Sequence, residues 1–166
     1  MKVGAFVGKF YPPHIGHLWV IDNLAPKLDK LYVIISKNDT RNKEISKNFE
    51  TLDAELIKKW FSQHYSNNKK IVVEIFDESN FKPFPEDLDK WSEKFKKQFP
   101  DVNIKIADES YRAFNQKYFS EYEFWPIDRD FIPIHSTQIR NDVLANLNYI
   151  IPEAREFFKG KFTQEK

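Results

Sequence analysis

Apolar strand-like runs alternate with helix-like stretches over the first 107 residues, and this alternation restricts the possible folds more than any other feature. Residues 2–7 read as a short apolar strand and residues 31–35 as a buried one. Residues 71–76 and 102–107, rich in β-branched side chains, give two more. Between them, Leu18, Ile21, Leu24 and Leu28 recur at helical spacing after Gly16, and Pro26 is expected to bend or end that helix. A second helix carries Leu52, Leu56, Ile57, Trp60 and Phe61 on one face, with Thr51 as its expected N-cap. A third, over residues 86–98, carries Leu88, Trp91 and Phe95 at i, i+3 and i+7. The pattern predicts an α/β fold: a Rossmann-like parallel sheet with helices on both faces. Right-handed crossovers then bring every strand's carboxyl end, and the loop after it, to one edge.

At 166 residues the chain fits a single domain with a real core, and no repeat, low-complexity tract or linker divides it. The 26 basic and 25 acidic residues leave a net charge of +1, which argues against a general nucleic-acid binder. The absence of cysteine removes disulfides, thiolate metal sites and cysteine nucleophiles. No apolar run reaches the roughly 18 residues of a membrane span, and the first residues lead straight into a strand, so a cytoplasmic chain is expected. The sequence is compatible with a homo-oligomer but does not specify one.

Three of the four glycines fall in the first sixteen residues, where Gly8 and Gly16 bracket Gly8-Lys9-Phe10-Tyr11-Pro12-Pro13-His14-Ile15-Gly16-His17. Glycine suits backbone that must come close to a ligand, because no Cβ intervenes. His14 and His17 stand three apart at the mouth of a helix and can point the same way. Imidazole donors, unpaired helix N–H groups and the positive dipole end together favour an anion, with Lys9 adding charge. Pro12-Pro13 stiffens the loop. Two other readings are open at this point: half of a metal site, although no carboxylate or third histidine is close in sequence, and plain helix capping. The glycine spacing matches neither the dinucleotide fingerprint nor the P-loop.

A second cluster, Ile134-His135-Ser136-Thr137-Gln138-Ile139-Arg140, stands near the other end. Ser136 or Thr137 is expected to cap a helix, and the Arg140 fork one turn in can bond two phosphate oxygens at once. The alternative is an ordinary capped helix with an exposed arginine.

His14-Ile15-Gly16-His17, after a strand and a Gly-basic-Phe turn, resembles the HxGH signature of the nucleotidyltransferase superfamily. The second cluster resembles the ISxTxIR signature that accompanies it, with His135 in place of the usual serine. The likeness extends to Gly8-Lys9-Phe10-Tyr11-Pro12, Asn38-Asp39-Thr40-Arg41, Phe84-Pro85 followed by Trp91, and Asp128-Arg129. Together these are similar to the nicotinamide mononucleotide (NMN) adenylyltransferase domain of NadR-type proteins, over about residues 1–158.

The resemblance implies that ATP and NMN give NAD and pyrophosphate, with Mg2+ carried on the ATP phosphates rather than on protein side chains. It implies His14 and His17 at the ATP phosphates, with His17 nearer the reacting centre, and Lys9 and Arg140 neutralising the triphosphate. Gly8, Phe10 and Gly16 would let the main chain approach the nucleotide, helped by Ser136 and Thr137. Trp91 is the candidate platform for the cationic pyridine ring, although Leu88, Trp91 and Phe95 also form a core stripe. Arg41 is the candidate for the NMN phosphate. Glu109 occupies a doubtful acidic position, and His64 is expected to be structural. Another phosphorylated acceptor such as phosphopantetheine, a CTP-using relative and a non-catalytic nicotinamide-nucleotide sensor are the competing readings.

Overall fold

The computed structural model describes residues 1–38, 52–82, 85–128 and 134–163. Five strands form one all-parallel sheet: β1 (Val3–Gly8), β2 (Lys30–Lys37), β3 (Ile71–Asp77), β4 (Ile104–Asp108) and β5 (Glu123–Ile127). Their order is β3-β2-β1-β4-β5, so the chain winds outward from β1 in both directions. The four expected strands are all present, with ends shifted by at most two residues. The fifth went unrecognised because Glu123-Phe124-Trp125-Pro126-Ile127 has neither clean alternation nor β-branched density. Its proline is tolerated because β5 lies at the sheet edge.

Strand side chains alternate between two cores, as the pleat requires. Phe6, Leu31, Val33, Ile35, Ile104 and Ile106 face one cluster, and Val3, Ala5, Tyr32, Ile34 and Phe76 the other. The first is covered by α1 (Ile15–Leu24), α2 (Ala54–His64) and α6 (Pro152–Thr163), which contribute Ile21, Phe61 and Phe158. The second is covered by α3 (Leu88–Gln98) and α4 (Arg112–Tyr118), and is dominated by Phe95, Phe99 and Phe119. Each fully buried phenylalanine contributes roughly 1.5–3 kcal/mol of transfer free energy.

Pro26 ends α1 as expected: the helix stops at Leu24 and a 3-10 turn over Ala25–Lys27 follows. Asp53 caps α2, its carboxylate accepting from the Glu55 N–H at 3.1 Å, while Thr51 lies outside the described residues. The third helix begins at Leu88 rather than Glu86, after Asp87 in a left-handed conformation (φ 55°). His64 closes α2 and pairs with Glu153 at 2.8 Å, tying α2 to α6.

Candidate active site

A cleft of about 840 Å3 opens at the carboxyl edge of the sheet. Gly8 of β1, Ser36 of β2 and Ala107 of β4 form its floor. β1 is the strand from which the chain turns both ways, with β2 on one side and β4 on the other. Connections leaving on opposite faces leave a crevice at such a point, where doubly wound folds bind ligands.

The loop after β1 builds one end of this cleft. Phe10 takes a left-handed backbone conformation (φ 56°), which turns its ring down into the core. There it meets Phe61 edge-on at 4.9 Å from below and His17 at 4.8 Å from above. A Cβ at Gly8 would lie 3.0 Å from the Phe10 ring, so glycine here makes room for Phe10 as well as for close approach from the cleft. The Tyr11–Pro12 peptide is cis, and the Tyr11 hydroxyl donates to the Leu52 carbonyl at 2.6 Å.

The two imidazoles stack at 3.7 Å between centroids. His14 is the N-cap of α1: its Nδ1 accepts from the Gly16 N–H at 3.0 Å. The Nδ1 of His17 accepts from the His14 N–H, also at 3.0 Å. In the neutral ring each proton therefore sits on Nε2, so this reciprocal capping leaves each histidine an N–H donor. Burial, and secondarily the charge of His135, push the His14 pKa down to about 4, so His14 is uncharged near neutrality.

The second cluster supplies the neighbouring wall through α5 (Ser136–Asn141). Its cap is His135, not Ser136 or Thr137: the His135 N–H donates to Gln138 Oε1 at 3.2 Å, and Ser136 and Thr137 lie in the first turn. Arg140 reaches back across the molecule, donating from Nη1 to the Tyr11 carbonyl at 2.6 Å and from Nη2 to Thr137 Oγ1 at 3.3 Å. The histidine loop and the arginine thus share one hydrogen-bonded frame. Lys9 adds a buried ammonium to the lining, and His135 lies in the same cleft. Imidazole N–H, ammonium and guanidinium groups form a donor set suited to phosphate oxygens. Among the described residues, no group of three or more His, Cys, Asp or Glu is placed to hold a metal ion.

Trp91 lies toward the other end, where it is both packed on the core and open to the cleft. It stacks on Phe95 at 5.4 Å and belongs to the second core, yet it also lines the cleft. Its indole N–H donates to Glu78 Oε2 at 2.7 Å, and Glu78 Oε1 accepts from the Ser36 hydroxyl at 2.5 Å, which fixes the ring at the ends of β2 and β3. Asn38 lines the cleft, whereas Asp39, Thr40, Arg41, Phe84 and Arg129 lie outside the described residues. Glu109 is turned to solvent and pairs with Arg112.

Two polar residues of this wall escaped sequence reasoning. Lys105 sits mid-strand in β4, only 5% exposed, its ammonium 4.1 Å from the Phe95 ring centroid and 5.2 Å from that of Trp91. Burial pushes its pKa down to about 7. Asn115 of α4 is 3% exposed. A charge between Ile104 and Ile106 was the available signal for Lys105; Asn115 offered none.

A family profile described as cytidylyltransferase-like matches residues 5–143, and the chain belongs to that family. It is 27% identical over 165 residues to the trifunctional NAD biosynthesis/regulator protein NadR of Escherichia coli, aligning 94% of this chain with 40% of that protein. The NadR of Salmonella typhimurium is 26% identical with the same 40% coverage. The chain therefore spans about two-fifths of these curated relatives. A crystal structure of NadR in complex with NAD and AMP-PNP superposes with a TM-score of 0.76 at 22% identity, covering 92% of this chain and 45% of that one. A bifunctional NMN adenylyltransferase/ADP ribose pyrophosphatase from Francisella tularensis gives 0.72 at 14% identity, covering 96% and 49%. These likenesses establish the Rossmann-like fold shared with these structures.

Proposed function

We propose that this member of the cytidylyltransferase-like family transfers the adenylyl group of ATP to NMN, giving NAD and pyrophosphate. The observation that carries this reading is the convergence of His14, His17 and Arg140 on one cleft that also contains an aromatic wall at Trp91. Similarity to NadR proteins named for NAD biosynthesis, one of them bound to NAD and AMP-PNP, and to an NMN adenylyltransferase supports this choice of substrates.

In the reaction an oxygen of the NMN phosphate attacks the α-phosphorus of ATP and a new P–O bond forms. The bond from that phosphorus to the bridging oxygen of the β-phosphate breaks, and pyrophosphate leaves with the electron pair. No protein nucleophile is needed, so the residues act by alignment and by stabilising charge. The Nε2–H groups of His14 and His17 donate to phosphate oxygens, with His17 at the reacting centre. Neutral His14 binds a polyanion as a hydrogen-bond donor, leaving Lys9 and Arg140 to balance its charge. Arg140, held by the Tyr11 carbonyl, couples the two walls at the triphosphate. Gly8, Phe10 and Gly16 present main chain to the nucleotide, with Ser136 and Thr137 beside them. Trp91 meets the pyridinium ring, an assignment consistent with cation–π attraction, and Arg41 is assigned the NMN phosphate. Magnesium would be held by the ATP phosphates and would add charge neutralisation there, since no group of three or more His, Cys, Asp or Glu among the described residues is placed to hold it.

Purified protein with ATP and Mg2+ is expected to release pyrophosphate with NMN and not with phosphopantetheine. His17→Ala should lower kcat by ~10²-fold or more, as loss of a transition-state donor does, with an unchanged circular dichroism spectrum. Pyrophosphate release with phosphopantetheine alone, or full activity in the His17 variant, overturns the assignment. Nucleotide binding without turnover would identify a sensor instead.

A further inference from the structure

The aromatic end of the cleft contains two buried polar groups of opposite sense. The Lys105 ammonium is surrounded by the rings of Phe95, Phe119 and Trp91 at 4.1, 4.7 and 5.2 Å, and these ring faces are its only partners among the described residues. Asn115 donates from Nδ2 to the Tyr111 carbonyl at 2.9 Å, while its buried Oδ1 has no hydrogen-bond partner among the described residues. The Tyr111 bond fixes which way the amide faces, because the flipped form would set carbonyl against carbonyl. Both side chains line the same cleft as Trp91.

A buried acceptor left open costs more than a paired one, and a ligand that completes Asn115 Oδ1 while offering Lys105 an acceptor recovers that cost. We propose that Lys105 and Asn115 determine acceptor specificity by reading the ring substituent of the pyridine mononucleotide as a carboxamide: Lys105 donates to its carbonyl oxygen and Asn115 Oδ1 accepts from its NH2. This rests on the NMN assignment above. A carboxylate in the same place presents acceptors only, and would face Asn115 Oδ1 with a lone pair. Desolvation weakens the hold of Lys105 on its extra proton. The amine left when that proton departs still donates, without repelling the pyridinium charge.

The test compares kcat/KM of the intact wild-type chain for three acceptors with ATP saturating: NMN, its deamidated acid, and 3-acetylpyridine mononucleotide. The last keeps the carbonyl and lacks the NH2. NMN is expected to exceed both others by ~10-fold or more, the range for a ligand that leaves a buried polar group unpaired. In Asn115→Leu the gap between NMN and the acetyl analogue should close, since the partner of the NH2 is gone. In Lys105→Met the KM for NMN should rise about 10-fold with the KM for ATP unchanged. A folding defect would instead depress all three acceptors alike.

Equal wild-type use of NMN and the acetyl analogue, preference for the acid, or an undiminished gap in Asn115→Leu overturns the inference while leaving adenylyl transfer in place. Wild-type protein that adenylylates none of the three overturns the acceptor assignment itself.

Discussion

His14 shows how one side chain can offer a hydrogen-bond donor to a cleft without carrying charge. Its Nδ1 is occupied by the Gly16 N–H and its ring is 5% exposed, so protonation is deferred to about pH 4. In the unfolded chain the same ring titrates near its ordinary 6.5. Between these values the unfolded state holds the extra proton and the folded state does not, so acidification favours unfolding. Stability contributed above pH 6.5 is lost progressively as pH falls toward 4, on the order of 3 kcal/mol for a shift of this size. His14→Asn, whose side chain can also cap α1, should lose less stability over that interval when both proteins are unfolded with urea at pH 7 and pH 4.5. The ring resonances of His14 should likewise move only below about pH 5. The histidine pair was legible in the sequence because few other contexts place two imidazoles and a glycine at a helix start. Lys105 and Asn115 were not, because burial of a lysine inside an aromatic cage depends on Phe95 and Phe119, distant residues that meet only once the sheet has formed.

Among the elements, α2 reaches the site without touching it. Phe61 packs under Phe10, and Phe10 under His17, so the position of one imidazole is set from a helix on the far side of the core. Phe61→Ala should cost about 3–5 kcal/mol of stability, the usual range for emptying a buried phenylalanine site. At temperatures where that variant stays folded, kcat should fall more than the ATP affinity, because His17 loses its footing rather than its chemistry. Calorimetry and steady-state kinetics check both halves. Strands β1 to β4 and helices α1 to α3 were readable from hydrophobic period alone, since each has one apolar face or a continuous apolar run. β5, α4 and α6 carry weaker patterns: mixed aromatic and charged residues in the first two, and in the last a buried face completed by Trp60 of α2. Their partners, rather than their own periodicity, hold them in place.

For the whole molecule, the cleft is closed by contacts between its two ends. The Ile151 N–H donates to the Pro13 carbonyl at 3.2 Å, and His14 bridges to Ile150, so the stretch before α6 pins the histidine loop. Arg140 adds a third tie at the Tyr11 carbonyl. Arg140→Lys retains charge but loses the fork that spans the Tyr11 carbonyl and Thr137 Oγ1. Its KM for ATP should rise roughly 10–100-fold, given the worth of charge-assisted hydrogen bonds, with little change in melting temperature. A Lys variant with wild-type ATP kinetics would show that Arg140 serves as charge alone. The expected likeness to a nucleotidyltransferase covered both segments, and the ties between them bring the two signatures to one cleft. A ribosome must therefore have released the segment around Ile151 before the loop after β1, made more than a hundred residues earlier, can be locked in its final shape.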